Sequence, residues 1–530
     1  MTEETKNTSF NELMDKSSTF FKEKNYKEAI KLCKLAQLMY GKNLDDNSLA
    51  VLYIRLANSY YCLEDKDKAT HYYEEYLKVF PKGQTSVFSR LAHAYYYIDQ
   101  DKSIDYHNKA LNLEVTKYDV SCKLFAMTKS SFYEQRDIKE ESEYEVDLVK
   151  NSLYKNIKKY EHSDKKKNPN KKLNIGYLSS DCHAHTMMNY ILPIWENHNQ
   201  EEFNFVIFNG SDKNDTTTAK IKKTGIKMLS CSKLSDEEIA KLIYDENIDI
   251  LVDLGGYTHL KTMSAFYKPA PIIISYLGYL NTLGIKEVDY ILTDRYTIPE
   301  EYADLYTEKP LYLDKGYQIF TEKDLPEITS CPYRENGYIT YGSFNCTSKF
   351  SDSILFIWAQ ILKKDLTSKL LIYRTQLTKS IIKNLKQKFE KLGISQDRLI
   401  FDSKSLSPHF RAYSKADISL DPYPFSGMSI AIETASMGVP TITLIGEGMQ
   451  SRGAARINSL LGFEEFNAST GEEYINAALK LAADKDRLST LRQTLRTKIN
   501  NSDIRVNEKE FTKDLEAKYK KAWNDFINSP

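Results

Sequence analysis

The hydrophobic pattern of this 530-residue chain changes abruptly near Lys172. Before this point, apolar residues recur at helical spacing over long stretches that contain little Gly or Pro. After it, short apolar runs such as LNIGYLSSD (173–181) and IDILVDLGG (248–256) alternate with segments of helical periodicity. One hydrophobic core rarely serves more than about 250–300 residues. We therefore predict an all-α N-terminal part followed by a separate α/β part.

The helical part of the chain repeats itself. Pairs of residues recur seven apart, as in Ala69 with Tyr76 and Ser103 with Ala110, and Ala69 precedes Ser103 by 34 residues. This is the period of tetratricopeptide repeats, in which two helices form one unit and successive units stack into an array with a concave binding face. We predict about three tetratricopeptide helix pairs within residues 1–115. A helical bundle without repeats is the alternative.

Residues 116–172 contain further helical patterns and then a charged segment. The stretches DVSCKLFAMTKSSFYEQ and KEESEYEVDLVKNSLYKNI have helical periodicity. The segment HSDKKKNPNKK (162–172) contains Pro and lacks apolar residues, which is typical of a linker. We expect additional helices and a linker that join the repeats to the α/β part.

The alternation of strands and helices after residue 172 predicts parallel sheets with helices on both faces. This pattern breaks around residues 310–335, in a Pro-containing stretch, and restarts with YITYGSFN; a helix is expected over 406–415 and a helical tail from 470. We predict two doubly wound, Rossmann-like domains, residues 173–330 and 331–530. Such a pair places a ligand cleft at the carboxyl ends of the strands.

Charge, apolar content and cysteine usage argue against several classes of function. Lys and Arg number 73 and Asp and Glu number 73, so no excess of positive charge favours nucleic acid or anionic lipid. No stretch of about 18 apolar residues is present, and the polar start MTEETKNTSFNELMDK lacks the apolar run of a secretion signal. Seven scattered cysteines without a CxxC pair indicate a reduced, cytoplasmic protein without structural zinc.

The clearest candidate for anion binding is the segment LDPYPFSGMSIAIETASMG (420–438). A strand is expected to end at Asp421 and a helix to begin near Gly427, which permits close approach of a ligand. Ser429 lies in the first helical turn, where free N–H groups and the helix dipole favour an anion. Glu433, one turn later, is placed to accept hydrogen bonds from a ribose. An ordinary helix cap is the alternative.

A lysine and a pair of histidines follow other predicted strand ends. Lys349 in GSFNCTSKFSD is placed to neutralise charge on a pyrophosphate leaving group, with a solvated lysine as the alternative. His183 and His185 in SSDCHAHTMM follow the first strand on an extended segment, and His259 lies in the same half. No Cys or Asp cluster completes a metal site. A single histidine facing the cleft, as general base or positioning group, is the favoured interpretation.

These segments together resemble the O-linked N-acetylglucosaminyltransferase and SPINDLY family. The resemblance runs from about residue 10 to the C-terminus. That family joins tetratricopeptide repeats to the two Rossmann-like halves of a GT-B glycosyltransferase. The resemblance therefore implies an α plus α/β fold, with an all-α tetratricopeptide superhelix followed by a GT-B fold. The segments that carry it are LNIGYLSSDCHAH, DILVDLGGYT, PIIISYLGYLNTLG, DYILTD, IPEEYAD, YGSFNCTSKFSD, DISLDPYPFSGMS, MGVPTITLIGEGMQSRGAARINSLLG and RLSTLRQTLRTKINNS.

The resemblance assigns roles to individual residues. It implies that His185 is the active-site histidine and that Lys349 is the lysine at the phosphates, both of them catalytic. It also implies that His409 lies near the nucleotide base and that Glu433 binds the ribose. The other implied nucleotide-sugar contacts are Asn345, Cys346, Ser426, Gly427, Met428 and Ser429, and those on the acceptor side are Asp253, Thr258 and Thr282.

The sequence departs from the family pattern at several of these positions. Met428 and Ile430 replace a histidine and a threonine of a Gly-His-Thr-Thr phosphate loop. Cys346 stands where a glutamine is often found, and Leu280 and Asn281 replace the Pro and Gly of a GYPGT segment. Because much nucleotide binding comes from backbone N–H groups, we expect it to be retained. The sugar is left open, since relatives use UDP-GlcNAc, UDP-glucose or GDP-fucose.

The resemblance implies an inverting, metal-independent O-glycosyltransferase that moves a sugar, preferentially GlcNAc from UDP-GlcNAc, to Ser or Thr of a protein docked by the repeats. We expect a cytoplasmic enzyme without cofactor, nucleic acid or membrane span, with flagellin or another surface protein as an acceptor and with possible homo-oligomers through the repeats. Two alternatives stay open. One is a non-catalytic tetratricopeptide scaffold with a decayed transferase half, favoured by Met428 and Ile430. The other is an N-glucosyltransferase that uses UDP-glucose on Asn.

Overall fold

The computed structural model describes residues 8–167, 171–320, 325–406, 409–505 and 507–529. Parts of the predicted linker (168–170), of the predicted break between the α/β halves (321–324) and of the helix predicted over 406–415 (407 and 408) lie outside these residues. The chain forms two compact units. One comprises residues 1–115 with 378–384, and the other comprises residues 116–377 with 385–530.

Six helices pack in consecutive pairs in the first unit, α1 on α2, α3 on α4 and α5 on α6. Ala29, Ala57, Ala69 and Ala110 are almost completely buried, because small side chains allow the paired helices to approach closely. Asn or Asp side chains cap most of the helix starts by accepting backbone N–H groups. The helices are α1 (Phe10–Lys22), α2 (Tyr26–Tyr40), α3 (Asp46–Cys62), α4 (Lys66–Val79), α5 (Thr85–Tyr95) and α6 (Gln100–Leu113).

Two further helices, α7 (Lys117–Met127) and α8 (Gln135–Leu153), open the second unit and pack on each other. Polar side chains of α8 reach the α/β part of the same unit. The ammonium of Lys150 lies 2.8 Å from the carboxylate of Glu287, and Lys139 Nζ donates to the backbone carbonyl of Asp304 at 2.6 Å. These helices are therefore attached to the first sheet rather than free extensions of the chain.

The first α/β half contains a seven-stranded parallel sheet in the order β3-β2-β1-β4-β5-β6-β7. Its central strands are buried on both faces, as expected for a sheet covered by helices. The elements are β1 (Leu173–Ser179), α9 (Met188–Asn197), β2 (Phe203–Asn209), α10 (Thr216–Lys223), β3 (Lys227–Ser230), α11 (Asp236–Asp245), β4 (Ile250–Asp253), β5 (Ile272–Ser275), β6 (Tyr290–Thr293) and β7 (Lys309–Tyr312).

The second half contains a six-stranded parallel sheet in the order β10-β9-β8-β11-β12-β13. The segment 409–415, within the predicted helix, is a 3₁₀ helix instead (His409–Lys415). The elements are α12 (Tyr333–Asn336), β8 (Thr340–Ser343), α13 (Asp352–Lys364), β9 (Lys369–Tyr373), α14 (Lys379–Lys391), β10 (Leu399–Asp402), β11 (Ile418–Leu420), α15 (Met428–Ser436), β12 (Thr441–Leu444), α16 (Gly453–Leu460), β13 (Asn467–Ala468), α17 (Gly471–Ala483) and α18 (Lys485–Asn500).

The last helix, α19 (Glu508–Ile527), packs against α9 of the first half although it follows the second half in sequence. Its residues Phe511, Leu515, Tyr519 and Trp523 are buried in the same hydrophobic core as Ile175 of β1. Large apolar side chains at helical spacing stabilise such a contact by about 1.5–3 kcal/mol each. The two α/β halves are thus joined by the returning C-terminal helix. Among the described residues, no helix has the length and apolar character required to span a bilayer.

Candidate active site

The loop between β11 and α15 is held in place by the buried carboxylate of Asp421. This carboxylate accepts hydrogen bonds from Ser426 Oγ at 2.6 Å, from Thr443 Oγ1 at 2.8 Å and from the backbone N–H of Gly427 at 2.9 Å. Burial raises the pKa of the Asp421 carboxyl, and the three hydrogen bonds oppose this effect. The result is a fixed turn at the N-terminus of α15, whose first backbone N–H groups are available to an anion.

Lys349 reaches the same loop from the turn that follows β8. Its ammonium donates to the backbone carbonyl of Ser426 at 2.9 Å and lies 4.3 Å from the ring centroid of Phe425. Burial lowers the pKa of Lys349 to about 8, and the carboxylate of Asp421 opposes this shift. The predicted lysine and the predicted helix start are therefore brought together, although 77 residues separate Lys349 from Ser426.

Asn345 provides an independent sign of a polar ligand beside this loop. Its side chain is only 2% exposed, and within the described residues neither amide atom has a hydrogen-bond partner. A Cβ atom on Gly427 would lie 2.3 Å from Asn345 Oδ1, so the glycine leaves room for this amide. A buried polar group without a partner costs about 1–3 kcal/mol. The Asn345 amide therefore has both of its polar atoms available for hydrogen bonds beside this loop.

The two side chains that replace phosphate-loop residues turn into the protein. Met428 belongs to the hydrophobic core of the first half, and Gly453 of α16 leaves space for its Cβ atom. Ile430 packs against the apolar cluster that contains Phe344 and Tyr413. Both side chains are used in packing, and because neither residue is proline, the substitutions keep the backbone N–H groups at the start of α15.

Glu433, the predicted ribose carboxylate, lies on α15 about one helical turn after Ser429. It lies beside His409, the histidine predicted near the nucleotide base. Glu433 accepts a hydrogen bond from the hydroxyl of Tyr413, and His409 Nε2 lies 3.4 Å from Glu433 Oε2. Ser429 Oγ shares a hydrogen bond with the hydroxyl of Tyr190, which lies on α9 of the first half. The site therefore combines groups from both α/β halves.

The histidines after β1 differ from the expectation of one extended segment, because the chain bends and turns there. His183 is buried, and its Nε2 lies 3.2 Å from Lys213 Nζ. Burial lowers the pKa of His183, so its neutral form is favoured. The side chain of His185 is 45% exposed, and its Nδ1 lies 3.5 Å from Asp181 Oδ2. His185 lines an open cavity of about 520 Å³ with residues of α9 and α10.

The predicted acceptor-side residues stabilise their own loops. Asp253 accepts backbone N–H groups after β4 and lies 3.1 Å from His259 Nε2. Burial raises the pKa of Asp253, but His259 and the hydrogen bonds lower it below its ordinary value. Thr258 Oγ1 donates to the Gly255 carbonyl at 2.6 Å. Thr282 Oγ1 donates to a buried carboxylate at 2.8 Å. Through these contacts the three residues stabilise the loops that follow the strands.

Cys346 lies beside Lys349 in a cationic environment. Burial alone would raise the pKa of this thiol. The charge of Lys129, the hydrogen bonds from Ser348 and the charge of Arg374 together lower it below its ordinary value. The described residues contain no group of three or more His, Cys, Asp or Glu side chains arranged to hold a metal ion. The ammonium of Lys349 and the N-terminus of α15 both contribute positive charge to this site.

Several site residues could not be found from the sequence. Tyr190 and Tyr413 come from segments with no motif, and Lys129 lies 219 residues before Ser348, whose hydroxyl it contacts. The sequence predicts Asp421 only as the end of a strand. Its position before a turn that starts a helix was the one available signal, because a carboxylate there is placed to accept the free N–H groups of the turn.

Comparison with known proteins identifies the class of protein to which this chain belongs. The family model described as "Glycosyl transferase family 41" matches residues 140–330 and 331–515, and a "Tetratricopeptide repeat" model matches residues 13–82. The chain belongs to glycosyltransferase family 41 and has tetratricopeptide helices before its two α/β domains. The predicted family and fold class are confirmed.

Two curated relatives and one solved structure illustrate the similarity. The chain is 28% identical over 383 residues to the probable UDP-N-acetylglucosamine–peptide N-acetylglucosaminyltransferase SPINDLY of Solanum lycopersicum, covering 70% of this chain and 40% of that protein. It is 30% identical over 369 residues to the probable enzyme SEC of Arabidopsis thaliana, covering 67% and 37%. The chain thus spans about 40% of the length of these relatives. A Thermobaculum terrenum O-GlcNAc transferase mutant has the same fold, with a TM-score of 0.81 and 23% identity over 99% of both chains.

Proposed function

We propose that this protein is an inverting, metal-independent glycosyltransferase that moves a sugar from a nucleoside-diphosphate sugar to Ser or Thr of a protein. The observation that carries the proposal is the convergence of Lys349 and the α15 N-terminus on one loop. The names of the plant relatives SPINDLY and SEC favour UDP-GlcNAc as the donor. The tetratricopeptide helices are the proposed docking site for the acceptor. The free state of all seven cysteines supports a reducing compartment such as the cytoplasm.

The proposed reaction is a displacement at the anomeric carbon. The acceptor hydroxyl forms a bond to this carbon, the bond to the diphosphate oxygen breaks, and the diphosphate leaves with the electron pair. The ammonium of Lys349 and the N–H groups of α15 stabilise the developing negative charge. His185 orients the acceptor hydroxyl or accepts its proton. Binding both substrates in one cleft lowers the entropic part of the barrier.

A panel of nucleotide sugars tests this proposal. Purified protein is incubated with UDP-GlcNAc, UDP-glucose or GDP-fucose and a mixed peptide acceptor, and released diphosphate and modified residues are measured. We expect UDP to be released from UDP-GlcNAc and the sugar to be found on Ser or Thr of the acceptor. Modification of Asn with UDP-glucose would replace the proposal with the N-glucosyltransferase alternative. A protein that neither binds nor turns over any donor would support the non-catalytic scaffold.

We predict that His185→Ala lowers sugar transfer by about a hundredfold or more, because positioned acid–base groups typically contribute that much. Affinity for the nucleoside diphosphate should stay unchanged, since His185 lies in the turn after β1. It is not part of the loop between β11 and α15 (residues 421–427), which we call the donor loop. Calorimetry and initial rates measure the two effects separately. Lys220→Ala, on α10 in the same cavity, is the matched control and should retain full activity. Wild-type rates in His185→Ala would show that the histidine takes no part in catalysis.

We also predict that EDTA leaves the transfer rate within about twofold of its value in untreated enzyme. The physical reason is that Lys349 and the α15 N-terminus supply the positive charge that a divalent ion supplies elsewhere. Rates are measured after dialysis against EDTA and again after addition of Mg²⁺ or Mn²⁺. A strict requirement for an added divalent ion would contradict the proposed mechanism.

A further inference from the structure

Three buried amide side chains meet beside the donor loop, although they come from three separate parts of the chain. Gln135 is the first residue of α8, Asn281 follows β5 in the first α/β half, and Gln450 follows β12 in the second half. Each of them is at most 5% exposed. Gln135 Nε2 donates to Asn281 Oδ1 at 2.7 Å, and Gln450 Nε2 donates to Gln135 Oε1 at 3.2 Å. The Gln135 amide therefore bridges the two α/β halves, and we call the three side chains the amide bridge.

The close approach of the two glutamines depends on Gly448. A Cβ atom at this position would lie 2.3 Å from Gln135 Oε1 and 2.3 Å from Gln450 Oε1, which is too short for a real contact. The glycine thus leaves the space in which the two amides meet. Asn281 stands where the family's GYPGT segment has a glycine, so the side chain that Gln135 meets in the first half belongs to a departure of this sequence from the family pattern.

The amide bridge is connected to the donor loop through the backbone of Gln450. The carbonyl of Gln450 accepts the backbone N–H of Ser426 at 2.8 Å. The carbonyl of Ser426 in turn accepts a hydrogen bond from the ammonium of Lys349 at 2.9 Å. A displacement of Gln450 would therefore move the part of the donor loop that Lys349 contacts.

The amide bridge also holds the first α/β half. Asn281 Oδ1 accepts the backbone N–H of Thr282 at 2.8 Å in addition to the Gln135 amide. The residue before Gln450 is held by the same half, because the backbone N–H of Met449 donates to the hydroxyl of Tyr306 at 2.8 Å. Buried polar groups that lose a partner are costly, and linked hydrogen bonds strengthen one another. These contacts therefore favour one arrangement of the donor loop against the first half.

We propose that Gln135 and Gln450 are positioning residues, which set the place of the donor loop relative to the first α/β half. They act through the backbone of Ser426 rather than by contact with the sugar nucleotide. The inference rests on the proposed function, because the donor loop is the proposed site of the diphosphate. It gives α8, which precedes both α/β halves in the chain, a part in donor binding.

Calorimetric titration with UDP and initial rates with UDP-GlcNAc test the inference in the full-length protein. GDP and GDP-fucose replace them if the panel of nucleotide sugars selects that donor. Gln135→Met removes both hydrogen bonds of the amide and keeps a side chain of similar length. We expect it to raise the Kd for the nucleotide and the KM for the donor by about fivefold or more, since loss of a buried hydrogen bond has effects of this size. Arg136→Met, the next and exposed position of α8, is the matched control and should behave as wild type.

A merely structural role of Gln135 would give a different pattern. A destabilised variant contains fewer active molecules, which lowers kcat in proportion and leaves the donor KM and the Kd for the nucleotide at their wild-type values. That pattern, or wild-type values of all three constants, would overturn the inference. If Gln135→Met does not fold, Gln450→Met takes its place in both measurements, and an unchanged Kd and donor KM in that variant would overturn the inference as well.

A double-mutant cycle tests whether the two glutamines act together. Residues in one hydrogen-bond network have effects that do not add, whereas independent residues have effects on the Kd that multiply. We expect the variant with both Gln135→Met and Gln450→Met to raise the Kd no more than the stronger of the two single changes. A Kd raised by the product of the two single effects would overturn the inference that Gln135 acts through Gln450.

The outcomes also distinguish this inference from the proposed function. If sugar transfer is observed and neither glutamine affects the donor KM or the Kd, the inference fails and the transferase proposal stands. If the nucleotide binds, Gln135→Met weakens its binding and no donor is turned over, the inference stands and the transferase proposal fails. A protein that binds neither UDP nor GDP would contradict both.

Discussion

Replacing Lys349 with methionine is expected to reduce sugar transfer by about a thousandfold while leaving the fold intact. The ammonium of Lys349 contacts the donor loop, where the leaving group develops negative charge, and loss of one such donor typically lowers kcat by about 10²–10³-fold. Diphosphate release and thermal unfolding measure the two properties on the same sample. Lys364→Met is the control for removing a lysine charge elsewhere on the same domain and should be fully active.

The pH dependence of catalysis provides a second test of the Lys349 ammonium. The pKa of Lys349 is lowered to about 8 by burial, so its ammonium is largely present below pH 8 and is lost as the pH rises above this value. We therefore expect kcat/KM to fall on the alkaline side of about pH 8, because this ratio reports on the ligand-free enzyme. A rate for Lys349→Met equal to that of wild type, with the same alkaline fall, would contradict the assignment.

Replacing Asp294 with alanine is expected to lower the free energy of unfolding by about 3–5 kcal/mol. Asp294 follows β6 of the first half and is paired with Arg456 on α16 of the second half, and both side chains are almost fully buried. Its carboxylate also accepts backbone N–H groups of Thr297 and Tyr317, both at under 3 Å. Removing it leaves the guanidinium of Arg456 buried without its charge partner.

Urea unfolding of the purified variants measures this effect. Glu300→Ala is the matched control, because Glu300 forms an ion pair with Arg295 in which both side chains are about 60% exposed or more. Exposed pairs of this kind contribute about 0–1 kcal/mol. Equal losses of stability in Asp294→Ala and Glu300→Ala would show that the pair between the two α/β halves has no special part in holding them together.

The parts of the fold that could be predicted are those with strong local patterns. IDILVDLGG contains the completely buried strand β4, and Ser235 caps α11 through a capping box with Glu238. Two elements have weaker signals. β7 contains Pro310 and lies at the edge of its sheet, where proline is tolerated. The helix α9 contains Pro193, which interrupts the helical pattern.

The site was predictable where its residues follow strand ends and was hidden where they come from distant helices. Lys349 and Gly427 each lie in a turn after a strand of a parallel sheet, and the carboxyl ends of such strands share one edge. By contrast, no local pattern distinguishes Lys129 in MTKSS or Tyr190 in NYILP from solvated or core residues. Their placement depends on how whole helices pack, which sequence periodicity does not specify.

The structure shows where the two side chains that depart from the family's phosphate loop are packed. Met428 and Ile430 were the features that favoured a decayed transferase, but both side chains pack in hydrophobic clusters. The turn they follow is held by Asp421, and Lys349 reaches it. The substitutions therefore leave in place the turn held by Asp421 and the contact of Lys349 with it.

The most direct measurement is a crystal structure of the protein with a bound nucleoside diphosphate. We predict that diphosphate oxygens lie within hydrogen-bond distance of Lys349 Nζ and of the backbone N–H groups that begin α15. A diphosphate bound elsewhere would contradict the proposed mechanism. A donor loop that stays empty at millimolar nucleotide, in an enzyme that is active, would contradict it as well.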